Sequence, residues 1–253
     1  MNQHTVCIVT GASRGLGLTL ASALCQPDNH VVAIARSANP VLDEVASRNG
    51  SSLTWVETDL AHSQHLEHDI ALLLELCQSI PCEHMWLINN AGTVHPVAPA
   101  GEYPAIALQH ALSLNLLAPM ILTGAFLHAT RGRVADRRIL NISSGAAHNA
   151  YEGWSVYCAS KAALDHYTRV VAQEQARLPD GARIAAIAPG VMDTDMQSEL
   201  RAVSHTVFPA HKRFVELKAS GGLADTGSVA QALLAQLSAD TFGQVPVFDI
   251  RDV

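Results

Sequence analysis

The chain has 253 residues, of which 49% are apolar and 15% charged, with a net charge of −7. That balance excludes a disordered polymer, and with no basic stripe it argues against a nucleic-acid partner. Five cysteines without a CxxC pair exclude a disulfide scaffold and point to reduced thiols in a cytoplasmic setting.

The N-terminus passes from Met1-Asn2-Gln3-His4 into a short apolar run that ends in a glycine turn. It reads as a strand and not as a signal peptide, and no apolar window is read as long enough to span a bilayer. The length suits one α/β domain over residues 1–253, with a substrate-loop insertion at about 191–218.

Thr5 to Thr10 is β-branched and apolar on both faces, the pattern of a buried parallel strand. Gly11-Ala12-Ser13-Arg14-Gly15-Leu16-Gly17 follows, and then Leu18 to Gln26 at helical spacing, stopped by Pro27-Asp28-Asn29. A glycine loop alone is also what a plain tight turn looks like. Set between a strand and a helix, it forms a phosphate cradle. The helix start presents free N–H groups and partial positive charge, and the glycines let the backbone approach a diphosphate. Gly11, Ser13, Arg14, Gly15, Leu16 and Gly17 are the candidate contacts.

His30 to Arg36 is the second strand. A site for NAD usually places an acid at its end for the ribose hydroxyls, and Asp28 comes too early for that. Here Arg36 and Ser37 stand at the end, and Arg14 sits in the glycine loop. Two guanidiniums and a hydroxyl suit a 2′-phosphate and hence NADP(H), whereas a strand-end Arg36 that is merely solvated is the plainer alternative.

Ser52 to Glu57 is the third strand, followed by Thr58-Asp59-Leu60. Asp59 either accepts a hydrogen bond from an adenine amino group or caps the next helix. His62, His65 and His68 lie three apart on that helix. Zinc ligands on a helix sit at i and i+4, so these read as a solvated face and no metal is expected. Cys77 and Cys82 straddle Pro81 and read as structural.

Met85 to Asn89 is the fourth strand, and Asn90-Ala91-Gly92 after it is small enough for a cofactor to approach the backbone. Thr93 to Pro104 is a surface connection beside the cleft. The helical stretch from Ala105 to Ala129 carries Asn115 in an apolar setting, where a buried amide must find partners. It either caps a kink before Pro119 or holds a water for proton relay.

Arg137 to Ser144 is the fifth strand. Tyr157 and Lys161 follow, and on a helix they project from one face a turn apart. Such a pair is also ordinary surface decoration when it stands alone. A phenol beside an ammonium nevertheless suits proton transfer, since a nearby cation favours phenolate, and the Ser144 hydroxyl suits a carbonyl oxygen. Ala159 to Ala176 continues that helix. Arg183 to Ala188 is the sixth strand, broken by Pro189-Gly190. The Met-rich segment 191–218 is read as partly helical and as a lid. Val229 to Leu237 is a helix, and Val245 to Phe248 a last edge strand. The alternation predicts a single doubly wound, Rossmann-type parallel sheet of about seven strands, with helices on both faces and a site at the strands' carboxyl ends.

Thr10-Gly11-Ala12-Ser13-Arg14-Gly15-Leu16-Gly17, Asp59, Asn89-Asn90-Ala91-Gly92, Asn115, Ser144, Tyr157-x-x-x-Lys161 and Pro189-Gly190 with Thr194 resemble the short-chain dehydrogenase/reductases over almost the whole chain. The resemblance implies Tyr157 as general acid and Lys161 as the group that binds the nicotinamide ribose and lowers the tyrosine pKa. It implies Ser144 as the group polarising the carbonyl, Asn115 as holder of the relay water and Thr194 as a carboxamide contact. Asp59, Leu60, Asn90, Ala91, Gly92, Pro189 and Gly190 join the cofactor set, and a homodimer or homotetramer is implied. Residues 189–197, Arg213 to Lys218 and Gly221-Gly222-Leu223 look like the sepiapterin reductase and benzil reductase branch. The implied reaction is NADPH-dependent reduction of a ketone or aldehyde, such as an α-dicarbonyl or a pterin side-chain ketone. A catalytically silent NADP(H)-binding sensor of the same fold is the alternative. Asp249 either anchors a pterin, as an acid near the C-terminus does in that branch, or is a solvated terminal residue. Val94, His95, His148, Tyr151, Trp154, Met192, Met196, Phe208 and Phe214 are expected to wall the substrate, with core or subunit contact the plain reading of the last two. Cys158, with no paired base, reads as packing.

Overall fold

The computed structural model describes residues 5–62, 73, 75 and 79–253. His65, His68 and Cys77 lie outside the described residues. Seven parallel strands form one sheet in the order β3-β2-β1-β4-β5-β6-β7. They are β1 (Thr5–Thr10), β2 (Asn29–Ala35), β3 (Ser52–Glu57), β4 (His84–Asn89), β5 (Asp136–Ile142), β6 (Arg183–Ala188) and β7 (Val247–Asp249). The order turns back between β1 and β4, which opens a crevice beyond their carboxyl ends.

Both faces of the sheet are covered, which is why β1 is buried at all six positions. On one face Leu16, Leu20 and Leu24 of α1 (Gly15–Leu24) pack with Leu233 and Leu237 of α8 (Thr226–Ser238). Helix α2 (Pro40–Asn49) adds Leu42 and Ala46. On the other face lie Leu122 and Phe126 of α4 (Ala118–Thr130) and Val171 of α5 (Ser155–Gln175).

Element ends shift where chain chemistry dictates. Helix α1 begins at Gly15, because the last turn of the glycine loop is itself helical. Helix α5 begins at Ser155, so Tyr157 lies inside it. Strand β5 stops at Ile142, and Ser144 leaves the ladder to cap a short 3-10 turn, Gly145–Ala147, by accepting from the Ala146 N–H. Strand β7 starts after Pro246, whose carbonyl still accepts from the Ala186 N–H at 2.8 Å.

The stretch read as one long helix is three pieces: α3 (Ala105–Leu112), a π-helical turn at Ser113–Leu117 and α4. By length and composition alone its 26 residues, with a window of mean hydropathy 1.6, would be long and apolar enough to cross a bilayer, contrary to the sequence expectation that no apolar window is. In the fold, however, Leu122, Phe126 and Ala129 pack on the sheet. Segment 191–218 holds α6 (Asp195–Arg201) and all but the last residue of α7 (His211–Ala219).

Candidate active site

The crevice is a cleft of about 370 Å³, lined at one end by the glycine loop and at the other by Ser144, Tyr157 and Lys161. The loop leaves β1 through Gly11, whose φ of +68° turns the chain and whose N–H bonds the Ile34 carbonyl at 2.8 Å. Gly17 packs so tightly that a Cβ there would stand 2.1 Å from the Gly11 carbonyl oxygen. Thr10 Oγ1 accepts from the N–H groups of Asn90 and Ala91 at 2.9 and 3.0 Å, while Asn90 Nδ2 donates to the Thr10 carbonyl at 3.0 Å. The tips of β1 and β4 are thereby held together beneath the cleft.

The start of α1 is open. Its N-cap residue, Arg14, makes no side-chain cap bond, and its first turn holds no acid. Backbone N–H groups at a helix start, left without an intramolecular acceptor, are what an anionic diphosphate needs. Asn39 Nδ2 secures the loop by donating to the Ser13 carbonyl at 2.7 Å. Arg36 lines the cleft just beyond β2, exposed, and no carboxylate pairs with it among the described residues. Arg14 lies 3.8 Å from Asp195 and 4.0 Å from Glu199, both on α6. Asp59 lines the cleft and also accepts from the Ala61 N–H at 3.0 Å, while the helix it is expected to cap lies outside the described residues. Leu60, Ala91, Gly92, Pro189, Gly190 and Thr194 line the cleft as well.

At the other end Tyr157 and Lys161 stand one turn apart on α5, with Nζ 5.9 Å from the centre of the phenol ring. Trp154 stacks on Tyr157 at 4.6 Å between ring centres. Burial raises the Tyr157 pKa, and the Ser144 hydroxyl beside it works the other way. The sequence expectation gave that lowering role to Lys161. Here the lysine instead donates to the Ile142 carbonyl at 2.7 Å. Burial pushes its own pKa down to about 8, against a counter-pull from Asp165.

Asn115 lies behind the cleft, 1% exposed, inside the π turn. Its Oδ1 accepts from the Thr93 N–H at 2.8 Å, and its Nδ2 donates to the Thr93 carbonyl at 2.8 Å and to Ser160 Oγ at 3.3 Å. The side-chain amide is therefore occupied in pinning the loop after β4 to the helix, and it does not reach the cleft surface.

The expected substrate wall divides. Val94, Tyr151, Trp154, Met192, Met196 and Phe214 line the cleft. Phe208 does not: it is fully buried and stacks on Phe214 at 5.6 Å, the core role. His95 pairs with Glu199 at 3.2 Å, and His148 with Asp165 at 3.1 Å, so neither histidine contributes to the wall. Trp154 anchors the group, touching Tyr151, Phe208 and Phe214 through its ring and donating from Nε1 to the Val94 carbonyl at 3.1 Å. Asp249 is not on the wall either. Both its oxygens are taken by Arg251, at 2.7 and 2.6 Å, and Arg251 itself lines the cleft beside Gly190.

Arg251 is a cleft residue that sequence reading missed, and Arg213, noted there only as part of a resembling stretch, gains a place on the cleft. The only signal for Arg251 was an acid–base pair two residues apart in a tail with no helical or strand pattern. Arg213 donates to the Tyr151 hydroxyl at 3.0 Å, a contact across 62 positions that spacing does not reveal.

A family model described as short chain dehydrogenase matches residues 5–204. The chain is 36% identical over 245 residues to a benzil reductase ((S)-benzoin forming) of Bacillus cereus, covering 97% of this chain and 98% of that protein. It is 34% identical over 257 residues to a sepiapterin reductase of Meriones unguiculatus, covering 98% and 96%. The crystal structure of the KRED1-Pglu enzyme is similar, with a TM-score of 0.81 at 27% identity, over 96% of this chain and 100% of that one.

Proposed function

The chain belongs to the short-chain dehydrogenase/reductase family, and from that premise we propose an NADPH-dependent carbonyl reductase that takes bulky, mostly apolar ketones or aldehydes. Membership makes it an oxidoreductase acting on carbonyl or CH–OH groups with a nicotinamide dinucleotide. One observation carries the finer reading: Ser144, Tyr157 and Lys161 line the same cleft as an open glycine loop. The aromatic wall and the two reductase relatives support α-dicarbonyls such as benzil, or pterin side-chain ketones, as substrates.

The uncapped start of α1 suits the diphosphate, and unpaired Arg36 suits a 2′-phosphate. When bound, the reduced nicotinamide supplies the hydride. Ser144 donates a hydrogen bond to the substrate carbonyl oxygen as charge develops there, and Tyr157 hands that oxygen its proton. A phenol whose pKa is raised by burial stays protonated at neutral pH, the form a general acid needs. Lys161 would hold the nicotinamide ribose and, as an ammonium, would return a proton toward the phenol. With the Asn115 amide turned to Thr93 and Ser160 behind the cleft, we assign the relay water to the backbone of the π turn, where the helical bonds widen to i→i+5.

The test is NADPH consumption against a panel of diketones, quinones, aldehydes and pterins. Turnover of diketones or pterins is expected. Tight NADPH binding with no oxidation anywhere on the panel would instead favour the silent sensor. Tyr157→Phe should keep NADPH affinity and lose turnover by about 10²–10⁴-fold, the usual contribution of a positioned acid. Wild-type turnover in that variant would remove Tyr157 from the chemistry.

We read residues 1–253 as one domain with 191–218 as its substrate loop. The exposed Ile106 and Leu117 on α3 and the π turn, at 70% and 42%, support a homodimer or homotetramer. Buried free thiols at Cys7 and Cys25 support a reducing, cytoplasmic location.

A further inference from the structure

Asp165 lies on α5, one turn beyond Lys161, and is 1% exposed. A lone buried carboxylate is costly unless its oxygens are held. Ser143 Oγ donates to Oδ1 at 2.5 Å. Oδ2 has no hydrogen bond of good geometry, and the nitrogen facing it is His148 Nε2, at 3.1 Å. Three elements thus meet at one carboxyl group: α5, the tip of β5 and the turn that follows Ser144.

Ser143 is the residue before the proposed carbonyl-binding hydroxyl, and its own N–H bonds the Ile187 carbonyl at 2.9 Å. Ile142, on its other side, accepts from Lys161 Nζ. The carboxyl group therefore sits behind the segment that carries both Ser144 and the acceptor of the lysine. The titratable and charged groups facing it are His148 from the turn and Arg169 and Lys161 from its own helix.

We propose that Asp165 is a positioning residue of the active site, one that clamps the Ser143-Ser144 strand tip and supplies the negative charge that keeps the buried Lys161 as an ammonium. The proposal deepens the reductase reading and rests on it for the meaning of Ser144 and Lys161. Burial lowers the Lys161 pKa to about 8, and Asp165 is the charge that opposes the fall. Removing that charge lets the lysine lose its proton at lower pH. Burial raises the carboxyl pKa of Asp165, with the Ser143 hydrogen bond, then His148, Arg169 and Lys161, pulling it back.

The chain has three lysines, Lys161, Lys212 and Lys218, which makes a direct measurement possible. In the protein without nucleotide, the rate of acetic anhydride labelling at each lysine is followed against pH by peptide mass spectrometry. Lys161 lines the cleft and is open to a small reagent from that side. Its labelling midpoint is expected near 8 in the wild type. In Asp165→Asn it should fall by about one pH unit or more, the size of an opposite-charge effect at close range. Lys212 and Lys218 should not move. The alkaline limb of kcat with a diketone should fall by the same amount. A folded Asp165→Asn protein with an unmoved Lys161 midpoint overturns the charge role, and Asp165→Ser carries the same test should the Asn variant not fold. Ser143→Ala breaks the clamp, and because the same hydrogen bond helps hold Asp165 ionised, it is read through kcat alone. There kcat should fall about tenfold through a misplaced Ser144, and an unchanged kcat overturns the clamp. A wild-type protein that reduces no carbonyl on the panel would count against the reductase reading alone, because the labelling midpoint reads Asp165 without turnover.

Discussion

Replacing Arg36 by Asp tests the choice between the two nicotinamide dinucleotides. Arg36 stands exposed at the end of β2, lines the cleft and has no carboxylate partner among the described residues. Its whole charge is available to a ligand. Arg14, the other guanidinium at this end, is drawn toward Asp195 and Glu199 at 3.8 and 4.0 Å and offers less. Losing a hydrogen bond to a charged group costs about 1.5–3 kcal/mol. An aspartate in its place adds repulsion with a phosphate of about −2 charge, partly screened at this exposed position. The sum is about 2–4 kcal/mol, or roughly 30- to 1000-fold in NADPH affinity. NADH should bind as well as before or better, since a carboxylate at this strand end can accept from ribose hydroxyls. The assay is fluorescence titration of both nucleotides at fixed ionic strength, with Arg14→Gln as a comparison expected to lose less. Equal weakening of NADPH and NADH, or a larger loss in Arg14→Gln, would refute the assignment of the 2′-phosphate to Arg36.

Trp154→Ala should destabilise the protein by about 3–5 kcal/mol, as large-to-small aromatic changes in a packed core do, and raise KM for a bulky diketone while leaving NADPH affinity near wild type. Chemical denaturation and initial rates check it, and an unchanged KM would detach Trp154 from the substrate wall. Asp136 lies at the far end of β5 from the cleft, bonded by Arg183 Nη2 at 2.5 Å, Arg138 Nε at 2.8 Å and His84 Nδ1 at 3.0 Å. Burial works to raise its pKa, but the hydrogen bonds from Arg183 and His84 and the two guanidinium charges outweigh it and hold the carboxyl below the usual range. A depressed folded-state pKa gives stability that is present above the unfolded value of about 4 and is lost as pH falls through the folded value. Asp136→Asn should therefore cost about 3 kcal/mol near neutral pH, by leaving its cations unpaired, remove that part of the acid dependence of unfolding and leave kcat unchanged. A variant with wild-type acid sensitivity would contradict it.

The sheet was legible because each strand's burial is written locally. Thr5 to Thr10 and Arg183 to Ala188 are apolar on both faces, and only a strand covered on both sides uses such a run. The Tyr157–Lys161 pair was legible for the same reason, since helical spacing alone sets it on one face. What the sequence did not reveal depends on neighbours brought by other elements. The sequence reading sets His148 and His95 on the substrate wall among mostly apolar and aromatic residues. Their partners, Asp165 and Glu199, come from α5 and α6 and hold them away from the wall. Asp249 read as a free acid, but Arg251 occupies both its oxygens.

The same division explains where specificity resides. The residues assigned to the chemistry lie on rigid elements whose positions follow from the sheet: the tip of β5, the first turns of α5 and the glycine turn after β1. Those proposed to face the rest of the substrate come from connections: Val94 from the loop after β4, Tyr151 and Trp154 from the turn before α5, Met192 and Met196 after β6, and Phe214 from α7. They are gathered by one aromatic cluster centred on Trp154 and not by the sheet. On the proposed mechanism Ser144 and Tyr157 take their positions from β5 and α5, while the cluster, which meets the phenol through the Trp154 ring at 4.6 Å, judges what is attached to the carbonyl. Substitutions in 191–218 should accordingly change which ketone is accepted before they change how fast an accepted one is reduced, and a variant there that loses kcat equally for every substrate would break that separation.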